Sequence, residues 1–184
     1  MQYTHLGRSG LKVSRLCLGT MNFGPQTEEA DAHSIMDSAH DNGINFFDTA
    51  NVYGGAGHRG WTEEIIGRWF AKGGERREHT VLATKLYGTM TDRPNESKLS
   101  ALNIRRALDA SLKRLQTDYI DIYQFHHIDR DTVGRDLAGH RGRRSAGEDP
   151  VLRQQQLRRV AHCPGAGSGA AAELHRAGQR AIHL

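Results

Sequence analysis

Ile44-Asn45-Phe46-Phe47-Asp48-Thr49-Ala50-Asn51-Val52-Tyr53 is the stretch on which the fold turns. Residues 44–50 read as a buried strand, and an acid, a hydroxyl and a phenol follow at its carboxyl end. The pattern returns twice. Residues 80–85 form an expected strand ending in Thr84-Lys85, and residues 119–126 form another ending in Gln124-Phe125-His126. Between these strands lie helical patterns. Thr27 is read as the cap of a first helix that carries Ala32, Ile35, Met36 and Ala39 on one face, with Gly43 closing it. Thr62 is read as the cap of a second, with Ile65, Ile66 and Trp69 inward and Gly73 at its end. A third presents Ile104, Ala107, Leu108, Ser111, Leu112 and Leu115 at i, i+3, i+4 spacing.

Working outward to the N-terminus, residues 6–14 contain two Ser/Gly turn signals and read as a small hairpin, and residues 15–21 as a buried strand. The order is then a hairpin, three strand–helix pairs and a fourth strand. Such alternation implies a parallel sheet with helical crossovers, either a closed barrel or an open doubly wound sheet. No Gly-x-Gly-x-x-Gly or phosphate loop follows the first strand, which weighs against the open dinucleotide-binding sheet. Polar groups gathered at the carboxyl ends of successive strands favour the barrel.

Composition divides the chain of 184 residues in two. Its net charge of +4 is an average of unlike halves. Residues 1–132 hold 16 Lys+Arg against 17 Asp+Glu, whereas residues 133–184 hold nine Arg, no Lys and four acids. All twelve aromatic residues precede position 133. We therefore expect an N-terminal unit over 1–132 and a basic, disordered Arg/Gly/Ala-rich tail over 133–184. A nucleic-acid arm is disfavoured there, since the tail has no stacking aromatic and no recognisable module. Mean hydropathy is low, at −0.64. No apolar run reaches membrane-span length and no signal peptide is read at the start, so a cytoplasmic setting without membrane association is expected. Cys17 and Cys163 lack metal-ligand spacing; no metal site is expected, and Cys17 reads as an inert core thiol.

The polar residues at the strand ends fit one chemistry. Reducing a carbonyl needs a proton at the oxygen while hydride reaches the carbon. A tyrosine hydroxyl serves as that acid when a nearby ammonium stabilises the phenolate. A buried ammonium needs a carboxylate partner, and an imidazole beside the oxygen orients the substrate. The expected assignments are Tyr53 as acid, Lys85 as its tuner, Asp48 as partner of Lys85 and His126 as orienter. Each has an ordinary alternative. Asp48 with Thr49 caps a turn at about even odds, Tyr53 before Gly54-Gly55 alone reads as a loop aromatic, and Lys85 alone reads as solvated. His127 rivals His126; if one faces the barrel, alternation sends the other toward the helices or a loop. Trp61 and Trp69 read as packing residues. The conjunction carries the case.

These pieces resemble the start of an aldo-keto reductase. The matching segments are Leu6-Gly7-Arg8-Ser9-Gly10-Leu11-Lys12-Val13-Ser14, Leu18-Gly19-Thr20-Met21, Asn45-Phe46-Phe47-Asp48-Thr49-Ala50, Val52-Tyr53-Gly54-Gly55, Thr84-Lys85, Arg105-Arg106-Ala107-Leu108 and Asp121-Ile122-Tyr123-Gln124-Phe125-His126. The likeness is greatest to bacterial general reductases related to potassium-channel β subunits. It implies an α/β fold, here the hairpin and first four strands of a (β/α)8 TIM barrel. It also implies NADPH as cofactor, a small carbonyl compound as substrate and a tetrad at Asp48, Tyr53, Lys85 and His126. Gly19, Thr20, Met21 and Asp48 would line the cofactor site.

From Val133 the resemblance stops, and the genetic code offers a reason. Read from the second nucleotide of each codon, residues 147–165 permit GKILYFGSSNFAGWHIAQA, residues 133–138 permit WDEIWQ and residues 178–182 permit VSEQS. Those strings resemble the family's continuation, so the tail is read as out-of-frame translation. By resemblance, Ser-Ser-Asn and Ser-Glu-Gln would hold the nicotinamide amide, and they are not residues of this chain. Little activity is then expected, with a non-catalytic remnant or a channel-type regulatory subunit as alternatives. A half barrel would also leave its outer strand edges unpaired.

Overall fold

The computed structural model describes residues 1–130 and the short strand Gln155–Leu157; the expectations for Cys163 and the rest of the tail lie outside the described residues. Strands β1 (Tyr3–His5) and β2 (Lys12–Ser14) pair antiparallel, with residues 6–11 as their turn. The hairpin is thus wider than the sequence indicated: its first strand begins before the turn signals, which mark only the bend. Strand β3 shrinks to Leu18–Gly19, because the chain leaves the sheet at Thr20, whose N–H donates to the Asp48 carbonyl at 3.1 Å.

Strands β3, β4 (Phe46–Asp48), β5 (Val81–Leu86) and β6 (Ile120–Phe125) then pair in parallel, in chain order. Helices α1 (Glu29–Asp41), α2 (Trp61–Phe70) and α3 (Ala101–Leu115) make the crossovers. This is a parallel α/β sheet consistent with part of a (β/α)8 barrel. Of its two outer edges, β6 carries β7 (Gln155–Leu157) antiparallel, so the expected exposure of both edges holds only at β3 among the described residues.

Two helix starts differ from expectation. The residue before α1 is Glu28, and Thr27 instead joins a turn in which its N–H donates to the Asn22 carbonyl at 3.0 Å. The residue before α2 is Gly60, at φ +97°, a conformation that suits glycine. Thr62 lies inside that helix and donates to the Phe23 carbonyl at 2.9 Å. Only α3 has a side-chain cap, Ser100, whose Oγ accepts from the Asn103 N–H.

The core lies between the sheet and the three helices. Phe47, Ile65, Ile66, Trp69, Leu82, Leu86 and Leu115 are fully buried. Trp69 stacks on Phe47, with ring centroids 5.6 Å apart, and donates its indole N–H to Asp37 at 2.8 Å. Ile35 does not join the core; it is 41 % exposed, and His33 is buried in its place, bonded to the Ile65 carbonyl at 3.0 Å. Cys17 is likewise exposed rather than a core residue, yet its thiol is pushed up to about 11, by partial desolvation first and the Asp48 carboxylate second. The thiolate is therefore scarce at neutral pH, as an inert thiol requires.

Polar locks hold the helices and strands in register. Arg77 is buried and reaches the Thr80 and Tyr119 carbonyls at 2.8 and 2.9 Å and Asp121 at 2.8 Å; Asp121 also accepts the Leu82 N–H. That ties the starts of β5 and β6. Near their other ends, Glu63 on α2 is wholly buried, accepting from Thr84 of β5 at 2.6 Å and Arg114 of α3 at 2.8 Å. Among the described residues no helix is long and apolar enough to cross a membrane.

Candidate active site

The sheet register brings the four expected residues to one end. Gly19 pairs with Asp48, Asp48 with Ala83, and Lys85 with Gln124, so the carboxyl ends of four strands meet. Lys85 follows Thr84 on β5, and alternation sends their side chains to opposite faces. Thr84 turns outward to Glu63, while Lys85 faces the site.

Lys85 Nζ donates to Asp48 Oδ2 at 2.6 Å and to the Thr49 carbonyl at 2.8 Å. Its side chain is 14 % exposed and that of Asp48 32 %, so this pair is shielded and is not a surface salt bridge. The expected solvated alternative for Lys85 is not what the structure shows. The Asp48 backbone is pinned as well, because its carbonyl accepts from both the N–H and Oγ1 of Thr20. Tyr53 sits on the loop after β4, its N–H bonded to the Ala50 carbonyl. Lys85 Nζ lies 5.3 Å from the centre of the Tyr53 ring. His126 meets that ring edge-on, with centroids 5.8 Å apart. Acid, amine, phenol and imidazole are therefore one cluster.

His126 is fixed by its backbone, whose N–H donates to the Leu86 carbonyl at 2.8 Å. Partial burial holds its imidazole below the usual histidine range; the charges of Lys85 and His127 act in the same direction, and Asp48 acts against them. The rivalry with His127 resolves unexpectedly. The two rings do not point to opposite faces; they stack at 5.3 Å and 17°. Strand β6 ends at Phe125, so strand alternation no longer governs residues 126 and 127. Tyr87, not singled out in the sequence, packs edge-on to His127 at 5.2 Å.

The residues expected at a cofactor lie beside this cluster. Thr20 is buried against Asp48, whereas Gly19 faces open space and Met21 is 61 % exposed. The carboxyl end of β3 is thus open to solvent at Gly19 and Met21. An open cavity of about 690 Å³ borders the cluster, lined by Tyr87, Phe125, His126, His127 and Arg130 among others. A larger one, about 1040 Å³, lies around Gly73, Arg77, Thr117 and Tyr119, at the opposite end of the strands and away from these groups. Among the described residues, no group of His, Cys, Asp and Glu has the arrangement of a metal site.

Comparison with known proteins gives a consistent picture. A family model described as "Aldo/keto reductase family" matches residues 15–177, a span that continues past the composition break at Val133. The chain is 62 % identical over 136 residues to the uncharacterized oxidoreductase YrpG of Bacillus subtilis, covering 72 % of this chain and 42 % of that protein. It is 46 % identical over 140 residues to protein tas of Escherichia coli, covering 72 % and 40 %. It is 42 % identical over 133 residues to a probable voltage-gated potassium channel subunit beta of Arabidopsis thaliana, covering 72 % and 39 %. The chain thus spans about two fifths of the length of these relatives.

Proposed function

The chain belongs to the aldo/keto reductase family, and we propose that its site is built to reduce an aldehyde or ketone to the alcohol, with NADPH as hydride donor and Tyr53 as the acid. The single observation that carries this reading is the cluster itself: Lys85 bonded to Asp48 at 2.6 Å, with both Tyr53 and His126 around it. The carbonyl oxygen would lie between the Tyr53 hydroxyl and His126. As negative charge grows there, Tyr53 gives its proton to the oxygen, and the phenolate left behind is stabilised by the Lys85 ammonium. Asp48 holds that ammonium in place and offsets its burial. His126 donates a hydrogen bond that orients the carbonyl.

Gly19, Thr20, Met21 and Asp48 would hold the near side of the cofactor, which supplies the hydride when bound. Their exposure pattern, an open backbone at Gly19 beside the exposed Met21, favours this. The groups that would grip the nicotinamide amide correspond, by resemblance, to the out-of-frame reading of the tail. We therefore divide the chain into a reductase half-barrel over 1–132 and an out-of-frame segment over 133–184. The 184-residue chain is expected to bind NADPH weakly and turn over little. Cytoplasmic placement fits a reductase drawing on a soluble cofactor pool, with Cys17 free.

A regulatory role beside an ion channel is the second reading, because a relative at 42 % identity is described as a probable channel subunit. The assembled tetrad favours catalysis over it. Resequencing the gene across the codons for Thr132 and Val133 tests the out-of-frame segment. Restoring the frame and following NADPH oxidation with a generic aldehyde tests the chemistry. Tyr53→Phe should lower the rate by roughly 10²–10⁴-fold. A frame-restored protein that reduces no carbonyl, or a Tyr53→Phe variant as fast as its parent, would remove the reductase reading. Micromolar NADPH binding by the 184-residue chain in a calorimeter would remove the claim that its cofactor grip is incomplete.

A further inference from the structure

We infer that His127 is a positioning residue for His126: its stacked ring holds that imidazole in one plane beside the carbonyl oxygen, which leaves Tyr53 to deliver the proton. This rests on the carbonyl-reduction reading and adds a residue to it. The geometry is a row of three rings. His126 and His127 lie face to face at 5.3 Å and 17°, and Tyr87 closes the far side of His127 at 5.2 Å and 64°. Tyr87 is itself held unusually. Its φ is 152°, rarely adopted by a residue with a side chain, and its carbonyl accepts from the Lys98 N–H at 2.8 Å.

Two parallel imidazoles at this separation cannot both carry a proton without repulsion, so protonation of one disfavours the other. His127 is exposed. His126 is half-buried, beside the Lys85 ammonium of β5. Other ionisable groups near the stack include Asp48 at the end of β4, Tyr53 on the following loop, Tyr87 after β5, Arg130, which lines the adjacent cavity, and Asp129 in the same segment, which accepts the Leu99 N–H. Of these only Asp48 favours a charge on His126, and Lys85 already occupies it. A proton on His126 is therefore disfavoured. A neutral His126 still donates one hydrogen bond to a carbonyl oxygen, yet it is a far weaker acid than imidazolium and does not compete with Tyr53. Proton transfer then runs from the Tyr53 O–H to the substrate oxygen, breaking one O–H bond and forming another, with the phenolate left beside Lys85.

The test is an NMR titration of the histidine ring resonances in the 184-residue chain, with His126→Asn used to assign the His126 signal. His127→Phe keeps a stacked ring and removes its charge; His127→Ala removes both. In the parent, His126 should titrate below the usual histidine range. In His127→Phe its midpoint should rise by at least roughly half a unit, which is what a charge about 5 Å away is worth through bulk water. In His127→Ala the rise should be accompanied by loss of the ring-to-ring nuclear Overhauser contacts between His126 and Tyr53. His127 is exposed, so the Phe variant decides if the Ala variant does not fold. An unchanged His126 midpoint in His127→Phe overturns the proposal. No cofactor or carbonyl takes part, so that failure leaves the reductase reading intact. Conversely, a shifted midpoint in a protein whose frame-restored form reduces nothing would keep the stack and remove the reductase.

Discussion

Replacing Arg114 with methionine should be among the most damaging single changes to this fold, and the structure sets its size. Glu63 is fully buried and its carboxylate has two partners: Thr84 Oγ1 at 2.6 Å and Arg114 Nε at 2.8 Å. Arg114→Met leaves the first and removes the only counter-charge bonded to it among the described residues. Stranding one member of a buried pair typically costs about 3–5 kcal/mol. There is a ceiling, because the carboxylate can escape by taking up a proton. For an ordinary glutamate that escape costs about 3.7 kcal/mol at pH 7. We therefore expect a loss of about 3–4 kcal/mol at pH 7, measured by urea unfolding with Trp69 fluorescence as the reporter. Glu63→Gln should cost less, about 1–2 kcal/mol, because the Arg114 side chain is 17 % exposed and can recover water. The joint variant Glu63→Met with Arg114→Met should recover most of the loss, as buried pairs replaced by apolar groups commonly do. A joint variant as unstable as Arg114→Met alone would refute the reasoning.

Gly67→Ala should destabilise by about 3 kcal/mol in the same melts. An added methyl would stand 2.1 Å from the Arg114 carbonyl oxygen, a backbone atom that cannot swing aside, so α2 and α3 must separate. Trp69→Ala should cost about 3–5 kcal/mol in urea unfolding followed by circular dichroism, since the ring is fully buried against Phe47 and its N–H bond to Asp37 is also lost. Arg68→Gln should flatten the acid side of the stability–pH curve. The Arg68 hydrogen bond first, and its charge as well, hold Glu29 below the usual carboxylate range. The stability so gained is present above the unfolded-state value and lost as pH falls through the folded-state value; both side chains are more than a third exposed, so the effect stays below about 1 kcal/mol. Lys85→Met in the frame-restored protein should lower carbonyl reduction by roughly 10²–10⁴-fold in a steady-state assay, with only a small change in urea midpoint, because water reaches the 32 % exposed Asp48.

The elements were legible in the sequence because hydrophobic period and strand ends agree along 1–130. The helix caps were less so. Thr27 and Thr62 have the right chemistry, but each was drawn into a tertiary or turn contact that competes with capping. Ile35 and His33 exchanged places for a similar reason: a rule of apolar spacing cannot see that the Ile65 carbonyl offers His33 a partner. The tetrad was visible as residue types at strand ends, whereas its support was not. Glu63 reads in sequence as one more acid in a helix's first turn, and nothing local marks it as buried beneath Thr84. His127 was read only as a rival of His126 and sent to the opposite face, because the alternation rule was carried beyond the end of β6; Tyr87, just after β5, carried no signal of its own.

The distribution of roles along the chain has a physical consequence. Everything that handles the proton is fixed by neighbours before residue 130: Asp48 by Thr20 and Lys85, Lys85 by the Thr49 carbonyl, and His126 by the Leu86 carbonyl and His127. None of these contacts needs a residue from the tail. The proton-handling half of the site should therefore assemble whether or not the hydride donor can be held, and the histidine titration and the NADPH calorimetry should separate cleanly in the same protein. An ordered His126–His127 stack in a chain that does not grip NADPH is the expected combination. If frame restoration were needed before His126 showed its low midpoint, the two halves of the site would be one cooperative unit, and the division at residue 132 would mark composition alone.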